Sequence, residues 1–125
     1  MADYRVLLVD DEEEFVSALS ERLMLRGIEV DSALNGEEAL ARLVEKDFEV
    51  VILDVMMPGL GGLEVLRQIK STHSSTQVIL LTGHGSTREG IEGMRLGAFD
   101  YLIKPVDIEE MLAKMKEAAK TARVS

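Results

Sequence analysis

Three acids, a threonine and a lysine stand where apolar runs stop, and as a set they could handle a phosphoryl group. Val6-Leu7-Leu8-Val9 ends at Asp10-Asp11, and Val50-Val51-Ile52-Leu53 ends at Asp54. Val78-Ile79-Leu80-Leu81 ends at Thr82, and Tyr101-Leu102-Ile103 ends at Lys104-Pro105. Carboxylates brought together raise one another's pKa and cost folding energy unless a cation neutralises them. Mg²⁺ suits such a set, because it takes hard oxygen ligands and keeps several waters. A metal held by two carboxylates, a backbone carbonyl and water leaves room for a phosphoryl oxygen. Lys104 adds a second positive charge, Thr82 a hydroxyl donor, and a carboxylate is the natural nucleophile. Phosphoryl transfer asks mostly for positioning and for neutralisation of the equatorial oxygens. No histidine or cysteine pairing suggests another reaction.

The elements around these residues must bring them to one edge. Short apolar runs separated by helical patterns read as buried parallel strands with helices on both faces. Ligands of such sheets bind at the carboxyl ends of the strands. Phe15, Val16, Leu19, Leu23 and Met24 recur at helical spacing, with Gly27 as terminator. Residues 28–33 alternate, as a half-exposed edge strand should. Asn35 is placed to cap a second helix with Ala39, Leu40, Leu43 and Val44 on one face. Met57-Pro58-Gly59 reads as a turn, Leu63, Leu66 and Ile69 mark a third helix, and residues 71–77 form a polar connector. Ser86-Thr87-Arg88-Glu89 is a capping box for a fourth helix reaching about Leu96. Asp107 caps a fifth, whose buried stripe is Ile108, Met111, Leu112, Met115 and Ala119. Right-handed crossovers and the lone edge-like strand then give a doubly wound α/β fold: a five-stranded parallel sheet of order 2-1-3-4-5 with five helices.

Some residues carry plainer readings. Residues 12–14 are charges that a helix N-terminus favours. Met24, Met94, Met111 and Met115 read as core or interface filler, and His73 as a solvated loop residue. Gly90 and Gly93 each cost a helix about 0.8–1.0 kcal/mol relative to alanine. The fourth helix is therefore expected to be labile, and alanine at both positions to stiffen it.

Composition sets the limits. A chain of 125 residues with 46% hydrophobic and 30% charged residues makes one domain with a core of its own. Zero cysteines exclude disulfides and thiolate metal sites and suit a reducing cytosol. No apolar stretch approaches the roughly 18 residues of a membrane span. Residues 1–4 lack the basic-then-apolar pattern of a signal peptide, so a cytoplasmic protein is expected. The net charge of -9 argues against direct nucleic-acid binding by this segment.

The motifs together resemble the receiver domain of two-component response regulators. The matching pieces are residues 7–11, residues 51–59, Leu80-Leu81-Thr82-Gly83, and residues 97–105, in the family's order and spacing and across essentially the whole chain. The resemblance implies a flavodoxin-like fold and a phosphorylation-dependent switch, not an enzyme with a separate substrate. It implies Asp54 as the acceptor of a phosphoryl group from a sensor kinase phosphohistidine. It gives Asp11 as direct Mg²⁺ ligand, Asp10 as the acid holding the metal through water, and the Met56 backbone carbonyl as a further ligand. Lys104 would pair with the phosphoryl group, Thr82 would move toward it, and Tyr101 would turn inward behind Thr82. Lys104-Pro105 resembles the family's cis peptide, and Met56 and His84 occupy positions that tune access of hydrolytic water. Output would run through helix 4, strand 5 and helix 5, toward an output domain, a downstream protein or a second copy. Residues 1–125 would be the receiver domain, either standing alone or as the N-terminal part of a longer regulator, the second being the reading favoured. The family often has an acid or Asn where Gly61 stands, a slightly better helix cap.

Three other classes are weighed against this. A phosphohydrolase using an aspartyl-phosphate would want a second acid two residues after Asp54, where Met56 stands. A flavin carrier would want a Gly/Ser/Thr cradle in the first loop, which is acidic here. A structural interaction module would ignore phosphodonors.

Overall fold

The apolar runs become strands because nothing else buries them on both faces. In the computed structural model, which describes residues 4–83 and 87–124, the strands are β1 (Arg5–Val9), β2 (Glu29–Ala33), β3 (Val50–Asp54), β4 (Gln77–Thr82) and β5 (Asp100–Ile103). The helices are α1 (Glu13–Met24), α2 (Gly36–Glu45), α3 (Gly62–Thr72), α4 (Thr87–Arg95) and α5 (Ile108–Val124). All strand pairs are parallel, in the order β2-β1-β3-β4-β5. The three central strands are buried almost end to end, and the edge strands only in part.

Alternation along each strand splits the core into two layers. Leu7, Val9, Val51, Leu53, Val78 and Leu80 face α2, α3 and α4. Val6, Leu8, Ile52, Ile79, Leu81 and Leu102 face α1 and α5, where they meet Leu19, Leu23, Met111 and Met115. The register pairs Val9 with Leu53, Leu53 with Leu80, and Leu80 with Tyr101. Asp10 and Asp54 therefore leave adjacent strands at one level, with Thr82 one step and Lys104 two steps further along theirs.

The helix starts follow the side-chain chemistry of their caps. Asn35 Oδ1 accepts the Glu38 N–H at 2.8 Å, and Glu38 Oε1 reaches back to the Leu34 N–H at 2.7 Å. Asp107 Oδ1 accepts the N–H groups of Glu109 and Glu110 at the head of α5. Gly27 ends the turn after α1 with φ of 79°, a left-handed conformation that favours glycine. Ser86 of the expected capping box lies outside the described residues.

Several expectations need correction. Val44 is 83% exposed and Met24 54% exposed. Each stands one residue past the last buried position of its stripe, Leu43 and Leu23, and so rotates about 100° away from the core. His73 is only partly exposed: its Nε2 lies 3.1 Å from the Leu43 carbonyl and its Nδ1 2.8 Å from Thr72 Oγ1. The two glycines of α4 are packing positions. A Cβ on Gly93 would lie 2.0 Å from Leu80 Cδ1, and one on Gly90 3.3 Å from the Tyr101 ring. Alanine at Gly93 would thus wedge α4 off the sheet, so the pair of substitutions does not simply stiffen the helix as expected. No helix among the described residues is long and apolar enough to cross a membrane.

Candidate functional site

At the carboxyl edge of the sheet, Asp10, Asp11 and Asp54 each offer an oxygen within 4.8 Å of the other two. Asp10 is fully buried, Asp54 nearly so, and Asp11 is exposed. Backbone donors fix the buried pair. Asp10 Oδ1 accepts the Glu12 N–H at 3.0 Å, and Asp54 Oδ1 accepts the Met56 N–H at 3.2 Å. Gly62 lets the chain after Asp54 lie close: a Cβ there would fall 2.3 Å from the Asp54 carbonyl oxygen. Its N–H donates to the Val55 carbonyl. No larger residue could start α3 this close to β3.

Lys104 crosses to this cluster from the end of β5. Its Nζ lies 2.7 Å from Asp10 Oδ2, 2.9 Å from Glu12 Oε1 and 3.9 Å from Asp54 Oδ2. The ammonium also stands 4.7 Å above the Phe15 ring, within cation–π range. The Lys104-Pro105 bond is cis. Burial pulls the Lys104 pKa down, but its hydrogen bonds to Asp10 and Glu12 and the charge of Asp54 outweigh this and hold it above the ordinary lysine value. Asp54 moves in the unusual direction for an acid. Burial first and Asp10 second push its pKa up to about 6, against the opposing pull of Lys104 and the Met56 N–H.

Thr82 is buried at the same rim, with its hydroxyl donating to the Leu102 carbonyl at 3.3 Å, turned toward β5. Tyr101 is half-buried on the α4 side, its ring against Gly90. Met56 is exposed beside Asp54, and His84 lies outside the described residues. The structure thus gathers Asp10, Asp11, Asp54 and Lys104 into one pocket. Thr82 stands at its β4–β5 rim, and Tyr101 lies one level below Asp54, with its ring against α4. Sequence reasoning missed Glu12 and Phe15 as neighbours of Lys104, and Gly62 as the residue that shapes the Asp54 loop. Gly61 precedes α3 with ordinary extended angles and open space around it.

The donor set matches a hard divalent cation. Its oxygens are carboxylates, and Asp10, Glu12 and Asp54 share the ammonium of Lys104 while Asp11 adds a fourth acid beside Asp10 and Asp54. A surplus of negative charge in a largely buried pocket is what such a cation relieves.

This sheet order, with acids and a lysine at its carboxyl edge, defines a flavodoxin-like phosphoryl-handling receiver. The profile of the response regulator receiver domain matches residues 6–116. The chain belongs to the response regulator receiver family of two-component signalling, and its class is that of a signalling switch. It is 44% identical over 113 residues to the uncharacterised transcriptional regulatory protein YkoG of Bacillus subtilis, covering 90% of this chain and 50% of that one. It is 42% identical over 112 residues to the transcriptional regulatory protein CpxR of Klebsiella pneumoniae, covering 90% and 47%. The chain spans about half the length of the curated relatives it matches. Among solved structures, a response regulator receiver domain protein from Clostridium thermocellum superposes with a TM-score of 0.93 at 34% identity, covering 98% of both chains. NtrX of Brucella abortus gives 0.92 at 28% identity, over 98% of this chain and 28% of that one.

Proposed function

We propose that Asp54 accepts a phosphoryl group from the phosphohistidine of a sensor histidine kinase. The observation that carries this reading is the meeting of Asp10, Asp11 and Asp54 within 4.8 Å, with Lys104 Nζ 3.9 Å from Asp54. An Asp54 carboxylate oxygen forms the new O–P bond, the N–P bond to the kinase imidazole breaks, and the imidazole keeps the electron pair and takes a proton. Mg²⁺, held by Asp10, Asp11, Asp54 and the Met56 backbone carbonyl, supplies charge neutralisation for the phosphoryl oxygens when bound. Lys104 supplies the second positive charge. Hydrolysis of the acyl phosphate returns the domain to its starting state.

Thr82 and Tyr101 serve as the switch. Turning the Thr82 hydroxyl from Leu102 to the phosphoryl group exchanges one acceptor for a charged one, a stronger partner. It also opens space behind it toward the half-buried Tyr101 ring. The population then shifts toward a state with a changed α4, β5 and α5 face, which contacts an output domain, a downstream protein or a second copy. Residues 1–125 act as the receiver of a longer cytoplasmic regulator, and any DNA contact belongs to another part of it. The relatives named as transcriptional regulators, about twice this length, support that reading.

The test is incubation with Mg²⁺ and acetyl phosphate, followed by intact mass. A single phosphate adduct, absent in Asp54→Asn, is expected. An adduct that survives Asp54→Asn removes the assignment, and catalytic turnover without an adduct points to a phosphohydrolase.

A further inference from the structure

Glu12 stands at the N-cap position of α1, yet its side chain makes no capping hydrogen bond. It turns instead to Lys104, 92 residues away, with Oε1 2.9 Å from Nζ. Its backbone N–H meanwhile donates to Asp10 Oδ1, while Asp10 Oδ2 accepts from the same Lys104. Asp10, Lys104 and Glu12 therefore form a closed ring of hydrogen bonds. Within it the ammonium lies at bonding distance from Asp10 and Glu12, and a full ångström further from Asp54. We propose that Glu12 is a positioning residue for Lys104: its carboxylate draws the ammonium toward Asp10 and away from Asp54, and so slows capture of anionic phosphoryl donors.

The proposal rests on the reading of Asp54 as phosphoacceptor and adds a regulator to it. Two effects act in the same direction. Glu12 occupies a Lys104 hydrogen that a phosphoryl oxygen would otherwise take. It also places one more negative charge beside a pocket that must admit an anion. Because the Glu12 side chain is 65% exposed, the effect is that of a solvent-screened ion pair.

The experiment measures the second-order rate of adduct formation with acetyl phosphate and Mg²⁺, by intact mass, at low ionic strength and in about 1 M salt. Glu12→Gln removes the charge. Glu12→Ser removes it as well and supplies a good N-cap, so weakening of the α1 start cannot mask the result. Glu12→Asp keeps the charge. At low salt the Gln and Ser variants should react about two- to fivefold faster than wild type, the range of an exposed ion pair, and the Asp variant like wild type. In about 1 M salt, where screening acts within roughly 3 Å, the gain should vanish. Equal or slower reaction of both neutral variants, an equal gain in Glu12→Asp, or a gain that persists in high salt overturns the role of Glu12. A wild type that forms no Asp54-dependent adduct instead overturns the phosphoacceptor reading, which separates the two failures.

Discussion

Gly93→Ala tests how α4 is seated. The new Cβ would lie 2.0 Å from Leu80 Cδ1, with Leu63 Cδ2 at 3.6 Å. Leu80 is fully buried in the middle of β4 and cannot swing into solvent. Overpacking of this kind costs about 1–3 kcal/mol. The alanine recovers about 0.8–1.0 kcal/mol of helix propensity, leaving a net loss of about 1 kcal/mol. Gly90→Ala differs: its Cβ would meet the half-buried Tyr101 ring at 3.3 Å, and a small ring displacement relieves it. That variant should be neutral or gain up to about 1 kcal/mol. Urea unfolding of both variants measures the contrast, since the midpoint moves with stability at constant m. Combining Gly93→Ala with Leu80→Ala makes room for the added methyl, so the double mutant should lose at least about 1 kcal/mol less than the sum of the singles. A Gly93→Ala protein more stable than wild type, or additive behaviour in the double mutant, would refute this account of the α4 seat.

Other expectations follow from the acidic pocket. The folded-state pKa of Asp54 is raised to about 6 from an ordinary 3.8, so ionising it opposes folding. Its stabilising contribution is whole below about pH 4 and is lost as pH rises through about 6. In EDTA, Asp54→Asn should therefore gain stability over wild type between about pH 4.5 and 7, and a pH-independent difference in urea unfolding would contradict it. Mg²⁺ at about 100 times its Kd should add about 2.7 kcal/mol, on the order of a 10 °C rise in Tm. Asp11→Ala should lose most of that rise; equal thermal shifts in both proteins would remove Asp11 from the metal site. Met56 stands exposed beside Asp54 and cannot orient water by hydrogen bonding. Met56→Asn should shorten the lifetime of the phosphate adduct, and an unchanged lifetime by time-resolved intact mass would count against shielding.

Continuous apolar runs made the strands legible, because a segment buried on both faces has no polar alternation to confuse its reading. The sheet order and the meeting of Asp10, Asp11, Asp54 and Lys104 followed from those strands. Glu12 was hidden by a sufficient local explanation, since an acid near a helix N-terminus is favoured whether or not it has a partner. Its actual partner comes from the far end of the chain. Gly62 and Gly93 were opaque for another reason: a glycine that makes room for Asp54 or Leu80 looks the same in sequence as one that merely weakens a helix. Val44 and Met24 lie at the border of their apolar stripes, where one residue of rotation decides between core and solvent. His73 was misread because its partner, the Leu43 carbonyl, belongs to a helix 30 residues earlier.

The two layers of the core lie on opposite faces of one sheet. Phe15, Lys104 and Ile108 belong to the flank with α1 and α5, whereas Tyr101 and Gly90 lie across the sheet beside α4. A substitution confined to one layer therefore alters the packing of that face first. Packing on either face can thus drift over evolutionary time at little cost to the other, provided that the handful of acids at the sheet's edge stays in place.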